Sequence, residues 1–168
     1  MEYFFHLSYR LEIKKWRVTG NDRETMKIRK REIQKRFRLE TGLIIDKPKP
    51  GGSGTSNDGN TARRFFYNTD KTATITGLDI AALKRCSAIL QVPLLNYVFH
   101  PNTIVERIIC FQLLASGSEI NVERFSDFCF ETVKYLVQLY PWYYMLATVH
   151  KVLIHGAQVI ENFSVPIG

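Results

Sequence analysis

Apolar residues recur every three or four positions along most of the chain, which is the period of an amphipathic α-helix. The first such stretch spans residues 3–17 and carries basic residues around the rest of its surface. Its apolar stripe consists of Phe5, Tyr9, Ile13 and Trp16. The second stretch spans residues 23–40 and ends at Thr41-Gly42, as helices commonly do. Its narrower stripe consists of Met26, Ile33 and Phe37.

The helical period continues through the rest of the chain. Asp79 and Asn121 are predicted as helix N-caps, and Pro101 as a first helical residue. Further helices are predicted over residues 61–68, 79–91, 101–115, 122–139 and 146–162, with a further turn over residues 70–76. The sequence shows no sustained period-two alternation and no internal repeat. These patterns predict an all-α protein of about six to seven helices.

A Gly/Pro-rich loop interrupts the helices and separates two regions of different composition. We predict one helical module over residues 1–168, with a basic helical arm (1–45), the loop (46–60) and an apolar helical body (61–168). Asn60 is predicted to cap a helix whose first turn offers Arg63 and Arg64. A helix N-terminus beside two guanidinium groups suits a phosphate. The alternative is a mobile, solvated linker.

The net charge of +7 is distributed unevenly along the 168 residues. Residues 1–45 carry 12 basic and 6 acidic groups, residues 46–71 carry 5 and 3, and residues 72–168 carry 6 and 7. This asymmetry favours a polyanionic partner, either nucleic acid or an anionic membrane surface. In the second helix we take Lys30, Arg31 and Lys35 as candidates for contact with the DNA backbone. An ordinary solvated face is the alternative.

Cysteine usage and hydropathy indicate an intracellular protein. Cys86, Cys110 and Cys129 are odd in number and lie in apolar helical contexts, which predicts buried, reduced thiols. The least charged window, residues 135–149, is shorter than the roughly 20 apolar residues that a membrane span needs. Met1 is followed by an acidic, aromatic segment, so we expect no secretion signal and no membrane partner.

His150 and His155 are the one pair of residues suited to binding a metal. Five residues of a regular helix turn the chain by about 500°, which separates the two rings by about 140°. Both can reach one ion only if the helix is broken or bulged, and Gly156 offers a place for that. The alternative is two packed or solvated histidines. The carboxylates suggest no acid/base pair, and the glycine-rich loop lacks the spacing of a P-loop.

Three sequence blocks together resemble a known family. They are Tyr9-Arg-Leu-Glu-Ile, Asn57-Asp-Gly-Asn-Thr-Ala-Arg-Arg, and His150-Lys-x-x-x-His155 with Val159-Ile-Glu161. In combination and in order they are similar to the C-terminal region of the V(D)J recombination-activating recombinase and the Transib transposases, and look closest to uncharacterised invertebrate relatives. The resemblance covers nearly the whole chain.

The resemblance implies a helical, zinc-associated module inserted within an RNase H-like transposase domain. The family's three catalytic carboxylates, which use Mg or Mn, are then expected outside residues 1–168, so this chain should not cleave DNA alone. His150 and His155 match the histidines of the family's structural zinc site. Its close pair of cysteines has no counterpart in residues 116–124. Arg63 and Arg64 match basic residues that contact DNA at the cleavage site.

The sequence therefore supports two alternative functions. The first is a nuclear DNA-binding module of a transposase-like protein, in which homo-oligomers form through the parent protein. The second is a non-enzymatic protein-interaction module derived from a domesticated or decayed transposon, with an aromatic surface at Trp142, Tyr143 and Tyr144.

Overall fold

The all-α prediction is confirmed by the computed structural model, which describes residues 1–48, 51, 54–91 and 122–156. These residues form seven α-helices, one π-helix and no β-strand; their only β-type pairing is one isolated bridge. The helices are α1 (Glu2–Tyr9), α2 (Asp22–Thr41), α3 (Gly59–Tyr67), α4 (Thr69–Thr76), α5 (Ile80–Gln91), α6 (Val122–Leu139), α7 (Ala147–His150) and the π-helix π1 (Lys151–His155). The helix predicted over residues 101–115 and its neighbour Asn121 lie outside the described residues.

The chain forms two compact units. Of the described residues, those within 1–84 and the short turn Pro141–Tyr144 belong to the first unit, and residues 85–91, 122–140 and 145–156 belong to the second. Composition suggested divisions at residues 45 and 60, whereas the first unit runs through both positions. The single module predicted over residues 1–168 stays a prediction. No helix among the described residues is long and apolar enough to cross a bilayer.

Three phenylalanines from three helices form the centre of the first unit. Phe5 of α1, Phe37 of α2 and Phe65 of α3 are fully buried. The ring centroids of Phe5 and Phe65 lie 4.9 Å apart in an edge-to-face arrangement, and those of Phe5 and Phe37 lie 5.7 Å apart. Burying one such side chain stabilises a fold by roughly 1.5–3 kcal/mol. The basic α2 is therefore fixed in the fold by a small number of apolar residues.

The first helix ends eight residues earlier than predicted, at Tyr9 rather than near residue 17. At this end Arg29, which is distant in sequence, donates from Nε to the Ser8 carbonyl at 2.7 Å, and the Leu11 N–H donates to the same carbonyl at 3.4 Å. That carbonyl would be the acceptor for the Glu12 N–H in a continuing helix. The chain turns instead and passes through a positive φ of 51° at Lys14.

Arg29 joins the ends of two helices. Besides the Ser8 carbonyl, its guanidinium donates to the Thr76 carbonyl at 3.0 Å and pairs with Glu12. Thr76 is the last residue of α4, where the C-terminal carbonyls have no partner within the helix. The following residue, Gly77, has a φ of +73°, and a Cβ there would lie 3.1 Å from Arg29 Nη2. The positive φ and this close approach both favour glycine at that position.

In the second unit, α5 contacts α6 through one arginine. Arg85 Nε donates to the Thr132 hydroxyl at 3.0 Å, and the guanidinium carbon lies 4.5 Å from the centroid of Phe128. Burial raises the pKa of Cys86 to about 12 and that of Cys129 to about 11, so both thiols are protonated at neutral pH. The predicted burial of these two cysteines is confirmed, and neither forms a disulfide. Cys110 lies outside the described residues.

The role of Arg29 predicts a stability difference between two arginines of the same helix. Arg29→Ala removes the donor to two helix-terminal carbonyls and should lower the free energy of unfolding by about 2–4 kcal/mol. Arg31→Ala removes an exposed side chain and should change it by no more than about 0.5 kcal/mol. Urea unfolding followed by circular dichroism measures both values. Equal losses would contradict the capping role of Arg29.

Candidate nucleic-acid interface and histidine pair

The N-cap of helix α3 lies two residues before the predicted one. Asp58 is the N-cap, and its side chain accepts a hydrogen bond from the Thr61 N–H at 2.8 Å. Asn60 lies within the first turn, and Arg63 and Arg64 fall in the second turn. The prediction of an Asn60 cap with both arginines in the first turn is wrong. A carboxylate already occupies this helix N-terminus, which disfavours a phosphate at the same place.

The Gly/Pro-rich loop is closed at its base. Pro48 and Thr55 form the isolated antiparallel bridge. The Ser56 N–H donates to the Lys47 carbonyl at 2.8 Å, and the Lys47 N–H donates to the Ser56 hydroxyl at 3.2 Å. Within the loop, Gly51 has a φ of +66°, as expected where glycines allow tight turns. Residues 47 and 56 are therefore held together, unlike the ends of a free linker.

The two arginines of α3 have different surroundings. Arg64 Nη2 donates to the Thr41 carbonyl at 2.6 Å, so it caps the C-terminus of α2 while remaining exposed. Arg63 is exposed, and its guanidinium has no hydrogen-bond or ion-pair partner among the residues that the structure describes. Of the pair, Arg63 is the group available to an outside anion, and Arg64 stands beside the end of α2.

Three of the eight cations of α2 lie beside its buried stripe and interact with the protein itself. Arg29 caps helix ends as described above. Arg36 donates to the Thr74 carbonyl at 3.0 Å and pairs with Glu40 at 2.8 Å. Lys30 pairs with Asp46, and its Nζ lies 5.4 Å from the ring centroid of Tyr9. These three flank the buried stripe of the helix, so they stabilise the fold.

Arg23, in the first turn of α2, donates to the Val18 carbonyl at 3.5 Å, and the other four cations share the outer side of the helix. They are Lys27, Arg31, Lys35 and Arg38, all exposed. At 100° per residue they fall within an arc of about 80°. Lys27 pairs with Glu24 at 3.6 Å. The side chains of Arg31, Lys35 and Arg38 have no such partner in the part of the chain that the structure describes.

Arg38 belongs to this outer group although the sequence analysis did not select it. The signal was present in the sequence: the buried positions Ile33 and Phe37 define the inner side of α2, and Arg38 lies about 100° from Phe37. The same difference in angular position around the helix separates the inner Lys30 from the outer Arg31. The angular position of a residue relative to the buried side of α2 therefore distinguishes the inner cations from the outer ones better than the local density of charge does.

Asp46 fixes the entry to the loop. Its side chain is 9% exposed, pairs with Lys30 and accepts from the Tyr9 hydroxyl at 3.4 Å. Its own N–H donates to the Asn57 side-chain oxygen at 2.8 Å, and the Gln34 amide donates to its carbonyl at 3.1 Å. Burial and the Asp46 carboxylate both raise the pKa of Tyr9. The backbone of Asp46 adopts a φ of +48°, which Asp and Asn tolerate better than most residues.

A π-helix brings the two candidate metal ligands onto one side. His150 ends α7, and π1 covers Lys151–His155. Because a π-helix forms i→i+5 hydrogen bonds, residues five apart come nearly into line. The two ring centroids lie 5.3 Å apart, and both histidines are exposed. The expected bulge is present, before Gly156 rather than at it.

Metal ligands beyond these two histidines are not assembled in the described structure. Among its residues, no group of three or more His, Cys, Asp or Glu side chains is arranged to hold a metal ion. Cys129 of α6 is fully buried and its thiol is protonated, as noted above. The histidine pair is thus a two-ligand arrangement on the surface of the second unit.

The aromatic turn at residues 141–144 is mostly internal to the first unit. Tyr143 is buried, and its ring centroid lies 5.3 Å from that of Tyr3 and 4.9 Å from that of Trp16. Trp142 is half-buried, whereas Tyr144 is 68% exposed. Of the three aromatic residues predicted as an interaction surface, Tyr144 is the one that faces solvent.

Comparison with known proteins adds no identification. No protein-family model matches the chain, and no curated protein matches it. The resemblance to the recombinase and transposase family therefore stays a prediction that depends on the sequence blocks themselves.

The Asp46 contacts predict that removing one charge loosens the loop. In Asp46→Asn the side chain keeps its size and tolerates the positive φ, but it no longer balances the Lys30 ammonium. We expect the free energy of unfolding to fall by about 1–2 kcal/mol. Limited proteolysis should cut faster between residues 47 and 56. Glu12→Gln, which removes a more exposed ion-pair carboxylate, should not change that cleavage rate, and an equal rate in both variants would contradict the role of Asp46.

Proposed function

We propose that this chain is a DNA-binding module of a transposase-like protein, and that it binds duplex DNA through the phosphate backbone. The observation that supports the proposal is the division of the α2 cations: three satisfy the fold, while Arg31, Lys35 and Arg38 have no protein partner in the described structure. Exposed guanidinium and ammonium groups gain most from phosphates, because binding releases condensed counterions. The proposed function uses these groups and Arg63.

The outer face of α2 has dimensions that suit an extended polyanion. Lys27 and Arg38 are eleven residues apart, which places their backbones about 17 Å apart along the helix axis. Arg31 lies between them on nearly the same line. Arg64 is not counted among these groups, because its guanidinium donates to the Thr41 carbonyl at the C-terminal end of the helix. Lys30 is an unfavourable candidate because contact with DNA would compete with its pairing to Asp46.

Catalysis is not part of the proposal for this chain. By the resemblance, the three carboxylates and the Mg or Mn ions belong to the parent enzyme. We propose a nuclear location on the same ground. The module would position DNA, and sequence preference would come from other parts of the parent protein because phosphate contacts do not read bases.

Loss of two outer arginines should weaken DNA binding and reduce its salt dependence. For Arg31→Ala/Arg38→Ala we expect weaker binding to all duplex sequences alike. The slope of log K against log salt concentration should fall by about 1.8, because each lost phosphate contact contributes about 0.9. Fluorescence anisotropy with labelled duplexes at several salt concentrations measures both quantities.

A matched control separates a specific surface from net charge. Lys84→Ala/Lys134→Ala removes the same charge from two exposed lysines elsewhere, each paired with a carboxylate. This control should keep the wild-type slope within about 0.5. If both double variants bind equally, α2 is not the contact surface. If the wild-type chain does not bind duplex DNA even at low salt, the proposed function is wrong.

A protein-interaction module is the alternative, and it has one supporting observation. Tyr67, at 87%, and Tyr144, at 68%, are among the most exposed large side chains of the first unit. Tyrosine is enriched at the centres of interfaces, where its ring is buried and its hydroxyl finds a partner. Absence of DNA binding would favour this alternative.

We also propose that His150 and His155 provide two of the four ligands of a structural zinc ion. The support is their separation. Two imidazoles on one tetrahedral zinc, with Zn–N distances of about 2.0–2.1 Å, have ring centroids about 5 Å apart, and here the distance is 5.3 Å. The donor set therefore fits half of a tetrahedral site. Bound zinc would tie together the two ends of π1.

Zinc binding should require both histidines. We expect His155→Ala to abolish or strongly reduce zinc content in untagged protein, because one imidazole cannot hold zinc without its neighbour. His6→Ala removes an exposed histidine of the first unit and should leave zinc content unchanged. Elemental analysis by mass spectrometry measures the stoichiometry. A wild-type content below about 0.2 equivalents after incubation with zinc, where a filled site would give one, would rule out the site.

A further inference from the structure

A second pattern lies beside the outer cations of α2. Four exposed side chains follow one another at spacings of four, three and four residues: Ile28, Glu32, Lys35 and Leu39. They share an arc of about 60°, on the side of the helix opposite Ile33 and Phe37. Ile28 is 58% exposed and Leu39 is 73% exposed. Both apolar side chains of the stripe therefore face solvent in the single chain.

The stripe is symmetric about the point midway between residues 33 and 34. Glu32 and Lys35 lie at equal distances on either side of that point, and so do Ile28 and Leu39. Spacings of four and three residues are those of a coiled-coil seam. A helix with such a stripe is self-complementary when a second copy packs against it in the antiparallel direction. Ile28 then meets Leu39 of the second copy, and Glu32 meets Lys35 of the second copy.

We propose that α2 binds α2 of a second copy of this chain, antiparallel and about a two-fold axis. In a two-fold interface every contact between two residues occurs twice, once in each direction. The stripe satisfies this with two apolar pairs and two ion pairs. The groups that would pair are available: the side chains of Glu32 and Lys35 have no hydrogen-bond or ion-pair partner among the described residues. Opposite charges across the seam select this register over a shifted one.

The association should be weak. The stripe extends over about 17 Å of helix, which buries less surface than the roughly 800 Å² per partner of a stable complex. Arg31 and Arg38 also border the stripe on one side and repel the same residues of the second copy. We therefore expect a dissociation constant on the order of 0.1 mM, which is accessible at high protein concentration.

Charge exchange across the seam provides the test. Sedimentation equilibrium of the full chain without DNA should show a monomer–dimer equilibrium. Glu32→Lys alone opposes lysine to lysine, and Lys35→Glu alone opposes glutamate to glutamate, so each variant should self-associate at least tenfold more weakly than wild type. An equimolar mixture of the two variants restores opposite charges at both pairs and should associate. The double variant E32K/K35E should also recover association with itself.

Controls on fold and charge make the outcome decisive. Circular dichroism should be unchanged, because both positions are exposed. Glu123→Lys and Lys47→Glu repeat the charge changes at exposed positions outside α2 and should leave the association as in wild type. A wild-type chain that stays monomeric at about 1 mM would overturn the proposal. Single variants that associate like wild type, or a mixture that does not associate, would also overturn it.

Discussion

The first unit depends on satisfying the carbonyl groups at the ends of short helices. Helices of eight or nine residues leave a large share of their backbone groups without a partner inside the helix. Here long arginine side chains supply the donors: Arg29 to the ends of α1 and α4, Arg36 to α4, and Arg64 to the end of α2. Each guanidinium offers several donors in a fixed plane, so one residue can serve two helix ends.

This use of arginine changes the meaning of a basic composition. Part of the positive charge in residues 1–45 belongs to the architecture, because Arg29, Lys30 and Arg36 each have partners within the fold. Three of the cations that have no partner among the described residues, Arg31, Lys35 and Arg38, lie on the outer side of one helix. A functional argument from net charge alone would overestimate the binding surface and would select residues, such as Lys30, that have a structural role.

Local patterns in the sequence determined most helix bounds, and long-range contacts determined the rest. The bounds of α2 and α6 follow from the period of their apolar residues, and Gly42 marks the end of α2. Helix α5 begins after its predicted cap, Asp79, whose side chain accepts a hydrogen bond from the Ala82 N–H at 2.7 Å. The end of α1 could not be predicted from local pattern, because its Ser8 carbonyl is bound by Arg29, some twenty residues away. The Asp46 cluster was missed for the same reason. The histidine spacing pointed to a bulge, but its position required the structure.

The π-helix makes the histidine pair sensitive to the number of residues between its members. Four residues separate His150 from His155. A π turn is equivalent to an α-helix with one inserted residue, so deleting one residue from this segment would give the spacing at which a regular helix aligns two side chains. The pair would survive that deletion, with less strain in the backbone. An insertion would instead separate the rings, so the segment tolerates changes of length in one direction only.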